Sequence, residues 1–230
     1  MPAASPGRLV PVPGVVVRQP SPRADDLERS VELLRQVASG DGPERLLRLY
    51  TPAPTLALTR RESLMPGYEA AVATAERLGF TPAIRPTGGR AAAYDGTCLV
   101  FDLVEREESH ADPTALFAQA GGTIVDVLRG FGVDARLGEV PGEYCPGEYS
   151  INARGAVKLV GTSQRGVRGA RLLSGMLAFG PVDRFVAVLT EANAALGLEW
   201  DPRTFGTLRT EAPAVSREEV EDALAAALIA

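Results

Sequence analysis

Three short stretches of this chain hold residue types that could do chemistry. The first is Tyr144-Cys145-Pro146-Gly147. A cysteine in a loop bounded by proline and glycine can be an exposed nucleophile. Its thiolate is the reactive form, and a nearby cation or hydrogen-bond donor favours it. An incidental packing cysteine fits the same residues. The second is Lys158, in the apolar run Ala156-Val157-Lys158-Leu159-Val160. It is the one lysine beside 23 arginines. A compact ammonium desolvated on a strand can bind a carbonyl oxygen or support a thiolate, and arginine is no substitute where a point charge is needed. An edge-strand lysine that blunts aggregation is the structural alternative. The third is Arg85-Pro86-Thr87-Gly88-Gly89-Arg90. Paired glycines let the backbone approach a ligand with its N–H groups, and flanking guanidiniums add charged donors. A plain strand-to-strand turn with solvated arginines reads the same way.

Other chemistries lack parts. The one histidine, His110, sits in an acidic stretch, so a Ser/His or Cys/His arrangement would depend on that residue alone. With one histidine, two cysteines and no C-x-x-C, a zinc site cannot be assembled from the usual ligands, and no metal is expected. The net charge of -5 gives no electrostatic footprint for nucleic acid. No apolar run approaches the roughly 20 residues that span a bilayer. The proline-rich start lacks the pattern of a signal peptide. Cys98 and Cys145 do not form a disulfide framework, and a cytoplasmic location would keep both reduced.

The elements that must position these residues follow from periodicity. Residues 1–23 read as an irregular, proline-rich lead-in, and 24–230 as a single domain large enough for a real core. Helices are predicted over 25–37, 67–78, 113–131, 181–196 and 216–228. Strands are predicted over 45–50, 55–59, 80–84, 98–104, 149–152, 156–160 and 172–179. On its strand, Lys158 should share a face with Val160 and Thr162. The glycine- and proline-rich stretch 133–149 reads as the loop that holds Cys145, and 201–213 as a linker. Ser216 and Glu219 have capping-box spacing. Mixed strands and helices predict an α+β or α/β class.

Taken together, these segments resemble the biotin/lipoate A/B protein ligase family. RPTGGRAAAYDGTCLVFDL is similar to that family's R-x-[ST]-G-G-x-A-V segment and its strand. KLVGTSQR is similar to its K-x-x-G-x-[AS]-x-R segment. EYCPGEYSINARGAVKLVGTSQR resembles the branch of octanoyltransferases that move an octanoyl group between lipoyl-domain proteins. The resemblance implies an α+β fold of mixed, largely antiparallel sheets, with helices packed on them and an acyl tunnel beneath the glycine turn. It implies Cys145 as an acyl-thioester nucleophile and Lys158 as its activator. Arg85, Thr87, Gly88, Gly89, Arg90, Gly161, Thr162 and Gln164 become the substrate pocket. The implied partners are the glycine cleavage H protein and the acyltransferase subunits of 2-oxoacid dehydrogenases, with no cofactor. The alternative it leaves open is a lipoate–protein ligase that uses ATP and Mg, keeps Lys158 and makes no use of Cys145. Many family members have histidine where this chain has Tyr94, and a bulkier β-branched residue where it has Ala92.

Overall fold

The computed structural model describes residues 14–107, 112 and 114–229. His110 lies outside the described residues. In chain order the first elements are β1 (Val15–Gln19), α1 (Asp26–Ser39), β2 (Arg45–Tyr50), β3 (Thr55–Leu58), α2 (Tyr68–Arg77), β4 (Thr81–Ile84), β5 (Ala92–Tyr94) and β6 (Cys98–Arg106). They are followed by α3 (Ala115–Gly130), β7 (Ala135–Leu137), β8 (Ile151–Ala153), β9 (Val157–Val167), β10 (Ala170–Ala178), α4 (Asp183–Ala195), α5 (Leu208–Glu211) and α6 (Arg217–Ile229). The larger sheet runs β1-β2-β6-β10-β9-β8-β7, and the smaller runs β4-β3-β5. Among the described strands, β1 with β2 and β3 with β4 pair in parallel, and the other strand pairs are antiparallel. The α+β class with largely antiparallel sheets is therefore observed.

Strand β6 is buried along most of its length, and its side chains alternate between two cores. Leu99, Phe101 and Leu103 meet Leu47, Leu49, Leu173 and Leu177, covered by α3 and α6. Cys98 and Val100 face the other way, toward Tyr50 and Met176 and the small sheet with α2 and α4. Helix α1 closes the end of that second face, seating Leu33, Leu34 and Val37 on Leu46, Val104 and Leu172. Each such side chain stabilises the fold by about 1.5–3 kcal/mol when fully buried. Packing is close enough to exclude single atoms. A Cβ at Gly175 would fall 2.2 Å from Phe101 Cζ, and one at Gly67 would fall 1.7 Å from the Ala195 carbonyl oxygen between α2 and α4.

The second face carries two transverse rows of side chains. Pairing aligns Tyr50, Val100, Met176 and Gly161 across β2, β6, β10 and β9. Two residues along, it aligns Arg48, Asp102, Ser174 and Ser163. In the polar row, Asp102 accepts from Arg48 at 3.2 Å, from Ser174 at 2.6 Å and from Ser30 of α1 at 2.6 Å. Arg48 also pairs with Asp26 and lies 3.9 Å above the Tyr50 ring. Its guanidinium is thus paired and hydrogen-bonded, as a buried charge must be.

Several local expectations are revised. Residues 15–19 form a strand inside the stretch read as irregular. Val15, Val16 and Val17 are all exposed, so β1 has no alternation to detect; it forms by pairing with β2. Strands β5 and β7 have three residues each and take their conformation from β3 and β8. Strand β9 continues through Gly161 to Val167, well past the glycine read as its end. The 201–213 segment contains α5. The capping box is present: Ser216 N–H donates to Glu219 at 2.8 Å, and Glu219 N–H donates to Ser216 Oγ at 3.2 Å.

Candidate active site

The two polar-loop segments and the start of β9 converge on one pocket. Its floor is the row Tyr50, Val100, Met176 and Gly161, and its roof is Arg85, Pro86, Thr87, Ala92 and Tyr94. Leu27 and Ser30 of α1 close one end; Cys145 and Lys158 stand at the other. The pocket together with its open mouth spans about 600 Å³. Four strands span about 14 Å from β9 to β2 at ordinary inter-strand spacing. That is room for a medium-length acyl chain. Burying such a chain gains about 0.8 kcal/mol per methylene.

Beyond Cys145 the pocket opens to a groove lined by Gly88, Gly89, Phe117, Glu148, Tyr149, Thr162, Ser163 and Gln164. Cys145 and Lys158 line both spaces. The thiol therefore sits where a buried chain would meet an arriving side chain.

The glycine turn shapes the thiol's surroundings. Gly89 has φ +105°, a left-handed conformation that favours glycine, and a Cβ there would lie 2.8 Å from Cys145 Sγ. The turn brings the Arg90 N–H to Cys145 Sγ at 3.2 Å. Arg85 Nη2 lies 3.9 Å from the same sulfur and also donates to the Arg90 carbonyl. Thr87 is buried and accepts from Ser163 Oγ at 2.8 Å, which ties the turn to β9. Arg165 holds the turn from outside through the Pro86 carbonyl at 3.0 Å. Gly88 is exposed at the groove, and the Arg90 side chain reaches the Glu199 carbonyl at 3.3 Å.

Lys158 is buried at 3% exposure. Its ammonium donates to Glu143 Oε1 at 3.0 Å and to the Cys145 carbonyl at 2.6 Å, and lies 4.8 Å from the Tyr144 ring centroid. It thus reaches the Cys145 residue at the backbone; the donors at the sulfur are Arg90 and Arg85. An ammonium has three donors, so one remains for an acyl carbonyl. The expected face sharing with Val160 does not occur. Ile151 pairs with Val160 and Asn152 with Lys158, which leaves Leu159 as a bulge residue. The bulge turns Leu159 and Val160 into the core while Lys158 points to the pocket, a use of bulges common beside active sites. Gly161 is small for the same reason: a Cβ would fall 3.0 Å from both Lys158 Cε and Tyr144 Oη.

Glu143 escaped the sequence reading as a site residue. Its side chain is fully buried and also accepts from Ser150 Oγ at 2.6 Å and from the Val140 N–H at 3.2 Å. It sits two residues before Cys145, and the buried lysine's need for a counter-charge was the available signal. Tyr144 stacks on Phe205 and packs edge-on to Trp200, which seats the loop in the second core. Burial drives the Tyr144 and Tyr94 phenols well above their ordinary range, so both are neutral walls of the pocket. Cys98 is fully buried and its thiol is pushed up to about 12 by that burial, which separates it from Cys145 as a nucleophile. Among the described residues, no group of three or more His, Cys, Asp or Glu is placed to hold a metal ion, and no helix is long and apolar enough to cross a membrane.

Known proteins share this chain's sequence family and fold. Residues 23–229 match the lipoyl protein ligase A/B catalytic domain. A curated relative from Exiguobacterium sp., octanoyl-[GcvH]:protein N-octanoyltransferase, is 28% identical over 124 residues, 54% of this chain and 44% of its own. A protein of the same name from Exiguobacterium sibiricum is 32% identical over 124 residues, 54% of this chain and 45% of its own. The matched stretch is thus under half the length of these relatives. Among solved structures, lipoate-protein ligase A bound with ATP superposes with TM-score 0.71 at 21% identity, covering 94% of this chain and 83% of that one. A structure from an archaeal lipoylation system, a bi-partite lipoate protein ligase and its E2 lipoyl domain from Thermoplasma acidophilum, superposes with TM-score 0.70 at 19% identity, covering 94% of this chain and 81% of that one. At these identities the structural likeness establishes the fold.

Proposed function

Because the chain belongs to the lipoyl protein ligase A/B catalytic domain family, we propose that it is an acyltransferase of protein lipoylation. In this reading it moves an octanoyl or lipoyl group between lipoyl-domain proteins through a thioester on Cys145. The observation that carries the reading is the Cys145 thiol itself. It lies at the junction of a closed pocket and an open groove, with a backbone N–H directed at its sulfur. The names of the curated relatives support the same chemistry.

The steps balance without a co-reactant. The Cys145 sulfur attacks the amide carbonyl of an acylated lysine on the donor. The C–S bond forms, the C–N bond breaks, and the thiol proton ends on the departing amine. The acceptor's lysine amine then attacks the thioester, its C–N bond forms, the C–S bond breaks, and the amine's proton returns to the sulfur. Lys158 fixes the Cys145 carbonyl and offers its third N–H to the acyl oxygen. Oriented donors in a water-poor pocket stabilise the oxyanion of each tetrahedral intermediate. Arg85, Thr87, Gly88, Gly89, Gly161, Thr162 and Gln164 form the walls around the acyl group and the incoming lysine arms, while Arg90 contributes its backbone N–H at the thiol.

The donor proposed is a glycine cleavage H protein, a partner suggested by the relatives' names. The acceptors proposed are acyltransferase subunits of 2-oxoacid dehydrogenases. No cofactor takes part, residues 24–230 act as one domain with β1 added to its larger sheet, and the reaction occurs in the cytoplasm. The test is a mixture of protein, octanoylated H protein and apo acceptor domain, with and without ATP and Mg, followed by intact mass. Transfer without ATP supports the proposal. Strict dependence on ATP, Mg and free acid would instead make the chain a ligase.

A further inference from the structure

We propose that Arg85, rather than Lys158, supplies the counter-charge for the Cys145 thiolate. The inference rests on Cys145 being the reactive group of the reading above, and it concerns how that group is made reactive.

Two cations stand near Cys145, and they differ in what already neutralises them. Lys158 is paired with the Glu143 carboxylate inside the protein, with side-chain exposures of 3% and 0%. Its second bond goes to a carbonyl. A buried ammonium held 3.0 Å from a buried carboxylate contributes little net field to a neighbouring anion, because the two charges nearly cancel at a distance. Arg85 has no such partner. Among the described residues it forms no ion pair with any carboxylate; its Nη2 bonds a backbone carbonyl, and its Nε is buried without a hydrogen-bond partner. Arg85 is half-buried, and even partial desolvation of a guanidinium favours an anion beside it. The group that answers it is the sulfur 3.9 Å from Nη2. The Arg90 N–H, 3.2 Å from the same sulfur, completes a two-donor cradle.

The glycine at position 89 is what allows the cradle to close. A Cβ there would fall 2.6 Å from Arg85 Nη2 and 2.8 Å from Cys145 Sγ, between the cation and the thiol. The turn thus keeps that space clear. The Glu143–Lys158 pair then has a mechanical role. It clamps the loop's backbone on either side of Tyr144 so that the thiol meets the cradle.

Alkylation of Cys145 by iodoacetamide at neutral pH, with no acyl substrate present, tests this directly. Cys98 does not contribute, because it is buried. An opposite charge within about 4–6 Å favours an anion by roughly one to three powers of ten, about half of which is offset by the greater nucleophilicity of a more basic thiolate; R85Q should therefore slow alkylation about tenfold. R85K should recover part of the rate. K158Q removes the charge but keeps an amide that can donate to the Cys145 carbonyl, so the loop stays held and the rate should change less than about threefold, with near-ultraviolet circular dichroism confirming that both variants are folded. A K158Q variant that slows alkylation as much as R85Q, or an R85Q variant that alkylates like wild type, would overturn the assignment. Because no acyl group is involved, Arg85-dependent alkylation in a protein that fails to transfer octanoyl groups would leave this inference standing and remove the proposed function.

Discussion

Replacing Lys158 by methionine strands the Glu143 carboxylate inside the protein. Its remaining partners are the Ser150 hydroxyl and the Val140 N–H, and its side chain has no solvent exposure. Removing one member of a buried ion pair costs about 3–5 kcal/mol, because the other charge is left uncompensated. For a chain of this size that lowers Tm by roughly 6–20 °C. Glu143→Gln leaves the Lys158 ammonium without a counter-charge, with only neutral oxygens, the Cys145 carbonyl and the new amide, to accept from it. The double variant E143Q/K158M removes both charges and keeps similar volumes, and such exchanges are often close to neutral. The double variant should therefore be more stable than either single one, with a coupling of at least about 2 kcal/mol. Urea unfolding of the four proteins, with the slope m checked for constancy, measures the cycle. Single variants within about 1 kcal/mol of wild type, or a double variant equal to the sum of the singles, would refute the clamp.

Two further outcomes follow from the same geometry. Gly89→Ala forces a side chain into a left-handed conformation at φ +105° and against the thiol, so acyl transfer should fall at least about tenfold while the fold, read by circular dichroism, survives. Lys158→Arg keeps a charge for Glu143, but a planar guanidinium cannot take the place of the compact ammonium held 3.0 Å from Glu143 Oε1 and 2.6 Å from the Cys145 carbonyl. That variant should stay folded and lose most transfer activity; turnover like that of wild type would remove the role given to Lys158.

Much of the site was legible because its residues break local rules. A lone lysine among arginines, a cysteine between tyrosine and proline, and a paired-glycine turn each stand out in one dimension. The long helices and central strands were legible from periodicity. What escaped depends on pairing across the chain. Leu159 is a bulge only because β8 offers one residue where β9 has two, and no spacing within β9 reveals it. The row Arg48, Asp102, Ser174 and Ser163 exists only once four strands are in register. Arg85 reads as a turn arginine until the turn folds back over Cys145, 60 residues later. Glu143 was in plain view two positions before Cys145, but its partner is 15 residues away and its burial depends on Ser150 and Val140. Strand β1 carries three exposed valines and no alternation, so only its parallel pairing with β2 defines it.

A covalent acyl group on Cys145 is central to the proposed chemistry, and one measurement reaches it most directly. The protein is mixed with octanoylated H protein alone, without ATP or acceptor, and its intact mass is recorded. One added octanoyl group is expected, mapped to Cys145, lost on adding apo acceptor domain and absent from Cys145→Ala. An unmodified protein that nonetheless carries octanoyl groups from donor to acceptor, or an adduct that persists in Cys145→Ala, would contradict it.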